Sequence, residues 1–151
     1  MLFRSLPQVF DAPDSARPEV TVALPSGTET ILLVEDSAGL RRLASRVLEP
    51  AGYAVLAAAT GEEALRLLEA YQKPVHLLLT DLVMPGMSGR HLVEYLATTH
   101  PALKVLYMSG YTSDTLVRHG VLEAQVAFLS KPFTAASLLR KVREALDSGP
   151  R

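Results

Sequence analysis

The chain has 151 residues, 48% of them hydrophobic and 21% charged, with a formal net charge of -1 from 15 basic and 16 acidic side chains. That length suits one domain with a flanking tail, and the charge balance lacks the basic excess that direct nucleic-acid binding needs. The absence of cysteine excludes disulfides, thiolate metal sites and thiol catalysis. No apolar run approaches the ~20 residues needed to cross a bilayer. The N-terminus does not show the charged, apolar, small-residue order of a secretory signal. A soluble, cytoplasmic domain without membrane contact is the expectation.

Residues 1–29 carry Pro7, Pro13, Pro18 and Pro25 among Asp, Ser and Gly. Proline at that density interrupts helices and central strands, so the segment reads as linker, with a short extended piece near Leu2–Leu6. From Thr30 the pattern changes. Ile31-Leu32-Leu33-Val34 is a continuous apolar run, the mark of a strand buried on both faces, and it ends in Glu35-Asp36. Ser37 then caps a helix whose Leu40, Leu43, Ala44, Val47 and Leu48 follow the spacing of one apolar face. Pro50 and Gly52 stop it. A second strand spans 54–58, and Thr60-Gly61-Glu62-Glu63 reads as a capping box opening a second helix through about Tyr71.

A third strand is expected over Val75–Thr80, again meeting an acid, Asp81; Pro85-Gly86 makes a turn and Ser88 begins a third helix through about Thr99. The fourth strand, Leu103–Met108, runs into Ser109-Gly110. A shorter helix is expected over 114–121. Val126–Ser130 forms the fifth strand, broken by Lys131-Pro132, and Thr134 caps a final helix with Leu138, Leu139, Val142, Ala145 and Leu146 on one face. Five strand–helix alternations predict an α/β fold with helices on both faces of a parallel sheet.

In an open parallel sheet, chemistry collects at the carboxyl ends of the strands. Those ends carry Glu35 and Asp36, then Asp81, Ser109 and Lys131. Taken singly, each has a plain reading: an acidic pair starts a helix, Asp81 ends a strand, Ser109 sits in a turn, Lys131 is solvated, and Phe128 is core. Converging on one rim, they point to chemistry. Clustered carboxylates call for a cation, and an all-oxygen set suits Mg2+. A carboxylate can act as the covalent nucleophile of phosphoryl transfer, with a lysine and a hydroxyl on the transferred oxygens. The four histidines, His76, His91, His100 and His119, show no metal-ligand spacing.

These residues resemble a known family. Leu32-Leu33-Val34-Glu35-Asp36, Leu79 through Gly89, Val105 through Gly110 and Phe128-Leu129-Ser130-Lys131-Pro132-Phe133 are similar, in order and spacing, to the receiver domain of response regulators and hybrid histidine kinases. The resemblance covers about Glu29 to Ser148. It implies a flavodoxin-like (βα)5 three-layer sandwich with strand order 2-1-3-4-5, an order recorded for the chemotaxis member of this family. It implies Asp81 as phosphoacceptor, and Mg2+ on Glu35, Asp36, Asp81 and the backbone carbonyl of Val83. Ser109 would be the switch hydroxyl and Lys131 the phosphoryl-pairing lysine, followed by a cis peptide to Pro132. Phe128 stands where many members carry tyrosine, so the switch aromatic lacks a hydroxyl. The Val83 side chain follows the acceptor by two residues, a place that bears on water's access to the acyl phosphate.

The implied partner is a histidine kinase or histidine phosphotransfer domain, with a weak homodimer through the fourth-to-fifth-element face as an open option. The isolated domain is expected not to be an enzyme beyond its own phosphorylation and dephosphorylation. Only five residues follow Leu146, and Phe3-Arg4-Ser5-Leu6-Pro7 resembles the last strand of a kinase ATP-binding domain running into a linker. The expected division is therefore a linker over 1–29, a receiver over 30–148 and a tail over 149–151, the receiver being the C-terminal one of a hybrid sensor histidine kinase. A free-standing single-domain regulator is the alternative. A haloacid-dehalogenase-type phosphatase also combines a nucleophilic aspartate, Mg2+, a hydroxyl and a lysine. Its nucleophile follows the first strand, however, and a general-acid aspartate stands where this chain has Val83.

Overall fold

The computed structural model describes residues 24–110 and 127–148. The helix expected over 114–121, the extended piece near Leu2–Leu6 and the tail over 149–151 lie outside those residues. The described elements run β1 (Thr30–Val34), α1 (Ala38–Leu48), β2 (Ala54–Ala58), α2 (Gly61–Ala70), β3 (Leu77–Asp81), α3 (Gly89–Thr99), β4 (Lys104–Ser109), β5 (Ala127–Ser130) and α4 (Ala135–Asp147). Every strand pairing is parallel, in the order β2-β1-β3-β4-β5. The expected flavodoxin-like order is thus observed.

Period-two alternation in the apolar strands divides the core. Ile31, Leu33, Leu77 and Leu79 face α1 and α4, packing on Ala44, Leu48, Leu138 and Val142. Leu32, Val34 and Leu78 point the other way, onto Ala64 and Leu68 of α2 and Leu92 and Leu96 of α3. The result is three layers, with the central strands β1 and β3 buried along their whole length. Hydrophobic burial on both faces is what makes these two strands continuous apolar runs rather than alternating ones.

Local signals set the helix ends. Ser37, Thr60, Ser88 and Thr134 are N-caps whose side chains accept from the backbone N–H three residues on. Two expectations shift. The box at Thr60 is only half formed, because Glu63 Oε1 reaches past Thr60 and accepts from the Ala59 N–H at 2.8 Å. Leu43 is 48% exposed although the spacing assigned it to the buried face of α1. It lies about 100° around the helix from Ala44, beyond the arc that touches the sheet. Gly52, at φ 108°, turns the chain after α1; a Cβ there would meet the Gly27 carbonyl oxygen. Beneath β1, Arg143 of α4 pairs with Glu29 through two hydrogen bonds of 2.7 and 3.2 Å and also holds the Ser26 carbonyl.

Candidate functional site

The parallel register brings the ends of β1, β3, β4 and the residue after β5 to one rim. Val34 pairs with Thr80, Asp81 with Met108, and Ser109 with Ser130, so Glu35, Asp81, Ser109 and Lys131 end neighbouring strands. The Lys131 N–H donates to the Ser109 carbonyl at 2.9 Å, and the Leu82 N–H to the Met108 carbonyl at 2.9 Å, extending the sheet into the site. The Lys131–Pro132 peptide is cis, as the resemblance implies.

Glu35, Asp81 and Ser109 are buried, at 1%, 8% and 2% exposure, whereas Asp36 is exposed. One oxygen from each of Glu35, Asp36 and Asp81 lies within 4.8 Å of the others. Three like charges this close repel by several kcal/mol in all. Lys131 Nζ lies 2.7 Å from Glu35 Oε1 and 3.1 Å from Asp81 Oδ2, so one ammonium offsets part of that repulsion. Glu35 Oε2 accepts from the Ser37 N–H at 3.0 Å. Glu35 Oε1 is buried, and the Lys131 ammonium at 2.7 Å is the partner that meets it.

The protonation equilibria follow from this crowding. Burial pushes the Glu35 carboxyl up, against the pull of Lys131 and the Ser37 N–H, with the neighbouring Asp81 adding to the rise. Asp81 is likewise raised, chiefly by burial and further by Asp36, although Lys131 and the Val83 N–H favour its anion. Burial opposes the Lys131 charge, yet the Glu35 and Asp81 carboxylates outweigh it and hold the ammonium above the ordinary lysine range.

A divalent cation fits this donor set. Three carboxylates face one ammonium, leaving an excess of negative charge on a largely buried rim. All the ligands offered are hard oxygens, the type that suits Mg2+ rather than a softer transition metal. Val83 is 47% exposed and follows the rim into the loop before α3. Phe128 is half-buried and packs with Leu82 and Tyr107 in a small cluster of its own. All seven residues singled out from the sequence therefore lie on or beside this rim.

Three further residues shape the site and were not singled out beforehand. The Thr80 hydroxyl, fully buried, donates to the Asp81 carbonyl at 3.0 Å. Gly89 opens α3 directly against that same carbonyl; a Cβ there would overlap the Asp81 oxygen. Arg41 of α1 reaches back so that Nη1 donates to the Glu35 carbonyl at 2.7 Å. A hydroxyl within an aliphatic strand and a glycine right after a helix cap were the available signals for the first two. Nothing in the sequence marks Arg41, because its target is a backbone atom six residues earlier.

Residues 31–143 match the Response regulator receiver domain family. The chain is 40% identical over 122 residues to the sensor kinase CckA of Brucella abortus, covering 81% of this chain but 13% of the kinase. It is 34% identical to the receiver protein CpdR of the same organism, covering 77% of this chain and 95% of that protein. The crystal structure of the receiver domain from the hybrid histidine kinase CckA superposes with a TM-score of 0.66 at 36% identity, over 78% of this chain and 99% of that one. Chemotaxis protein CheY4 of Vibrio cholerae reaches a TM-score of 0.70 at 28% identity, over 80% and 100%. None of this supports the haloacid-dehalogenase alternative. No described helix is long and apolar enough to cross a membrane. The match across 31–143, carried on a 2-1-3-4-5 parallel sheet, makes this chain a member of the response regulator receiver domain family, the phosphoacceptor component of two-component signalling.

Proposed function

We propose that Asp81 accepts a phosphoryl group from phosphohistidine with the help of Mg2+. The observation that carries this reading is Lys131 bridging two buried carboxylates, Glu35 and Asp81, beside the buried Ser109. Asp81 supplies the nucleophilic carboxylate oxygen. As its bond to phosphorus forms, the phosphorus–nitrogen bond of the donor breaks and the imidazole leaves with a proton from solvent. Glu35, Asp36, Asp81 and the Val83 carbonyl would hold the cation. When bound, Mg2+ supplies positive charge to the phosphoryl oxygens in flight. Lys131 turns from its carboxylate partners toward the phosphoryl group, and Ser109 donates to it. Ser109 and the half-buried Phe128 then carry the change to the β4–β5 side.

The receiver unit occupies 30–148, with 1–29 as linker and 149–151 as tail. Similarity to the CckA sensor kinase and to a CckA receiver structure supports an origin in a hybrid sensor histidine kinase, with a kinase or phosphotransfer domain as partner. The 95% coverage of CpdR favours a free-standing regulator as the second reading. Detecting the native polypeptide with an antibody to this domain separates the two: a kinase-sized band supports the first and a band near 16.3 kDa the second.

Intact-mass measurement after incubation with acetyl phosphate tests the chemistry. The expected result is a gain of one phosphoryl group that requires Mg2+ and disappears in Asp81→Asn. Labelling retained in that variant refutes Asp81 as acceptor.

A further inference from the structure

Two of the three carboxylates are held by their own side-chain contacts. Glu35 has Lys131 and the Ser37 N–H, and Asp81 has Lys131. Asp36 differs. It is exposed, and among the described residues no hydrogen-bond donor is found on its side chain. The direction of its carboxylate is therefore inherited from its backbone, above all from the peptide that joins it to Glu35.

That peptide is clamped from α1. The Glu35 carbonyl accepts from Arg41 Nη1 at 2.7 Å, a charge-assisted bond at the short end of its range. The Glu35 N–H donates to the Ala58 carbonyl at 3.0 Å, and the Arg41 N–H donates to the Ser37 carbonyl at 2.9 Å. The turn that carries Asp36 is thus tied at its entry to β2, at its exit to the first turn of α1, and in its middle by the Arg41 guanidinium.

We propose that Arg41 is a positioning residue for the metal site: its grip on the Glu35 carbonyl fixes the peptide plane that aims Asp36 at Glu35 and Asp81. The inference rests on the reading that a divalent cation binds these carboxylates. Arg41 has two opposed effects on such a cation. Its positive charge repels the ion, and its hydrogen bond aims a ligand. If charge were all that mattered, removing the guanidinium would tighten Mg2+ binding. If aim governs, removal weakens it, as loss of partners that orient metal ligands commonly does, by about 10-fold or more.

Mg2+ titration of the full chain by isothermal calorimetry, on wild type, Arg41→Ala and Arg41→Met, decides between them. Thermal unfolding in EDTA is measured on the same samples. The methionine variant keeps a long side chain of good helix propensity while removing donor and charge, and it carries the test if the alanine variant does not fold. The expected result is a Kd raised about tenfold in the variants, measured well below a midpoint that hardly moves in EDTA. A Kd equal to or below that of wild type overturns the role of Arg41 while leaving the metal reading intact. Wild-type protein that takes up no Mg2+ overturns the metal reading and the role of Arg41 with it.

Discussion

Asp81→Asn is expected to make the metal-free protein more stable, not less. In wild type the Asp81 carboxylate faces Glu35 and Asp36 within 4.8 Å and Lys131 at 3.1 Å. With an effective dielectric constant of about 20, each repulsion amounts to about 3.5 kcal/mol and the attraction to about 5 kcal/mol. The two repulsions together exceed the attraction. Screening at the exposed Asp36 trims the excess, and relief from burying a charge adds to it. The net gain on neutralising Asp81 is therefore about 1 to 2 kcal/mol, or roughly 5 °C in Tm for a domain of this size. The raised Asp81 carboxyl agrees in sign, since burial makes its anion a net cost to the folded state above the folded pKa. Urea and thermal unfolding at pH 7 in EDTA measure the difference. Mg2+ should reverse the order. At a hundredfold excess over Kd the ion stabilises wild type by about 2.7 kcal/mol, whereas the variant has lost a charged ligand and gains far less. A variant less stable than wild type in EDTA refutes this account of the site's electrostatics.

Glu29 is held at about 2, well below its ordinary 4.5, foremost by the hydrogen bonds from Arg143. A depressed folded-state pKa means that the contribution is present above 4.5 and lost as pH falls through about 2. The ceiling is roughly 3 kcal/mol, and solvent screening of this quarter-exposed pair reduces it to about 1 to 2 kcal/mol. The stability difference between wild type and Glu29→Gln should shrink over that window in urea titrations; a difference independent of pH refutes the pairing. Gly89→Ala offers a contest of signs. Helix propensity favours alanine by about 1 kcal/mol, while overlap with the Asp81 carbonyl predicts a loss of about 1 to 3 kcal/mol. Urea denaturation showing no loss would mean that α3 can move away from Asp81 at little cost.

The strands and the rim were legible in the sequence because both depend on local pattern. Ile31 through Val34 and Leu77 through Leu79 are apolar on both faces, which requires layers on both sides of a parallel sheet. Parallel strands must end on the same side, so acids, a hydroxyl and a lysine at successive strand ends had to meet. The caps at Ser37, Ser88 and Thr134 needed no more than a polar residue before an amphipathic run.

Tertiary structure alone decided what depends on reach and close approach. Periodicity placed Leu43 on the buried face, but the arc of α1 that the sheet covers is narrower than its apolar stripe. Glu63 passed over its local partner for the Ala59 N–H, one residue further back along the turn into α2. Arg41 acts on a backbone carbonyl, which every residue possesses, so no spacing of side-chain types marks it, and the sequence hints at Thr80 and Gly89 did not say which carbonyl each would meet. The sequence by itself determined which chemistry gathers at the rim. How its carboxylates are aimed rests on backbone atoms brought within 3 Å of guanidinium and hydroxyl donors, and only the folded chain sets those distances.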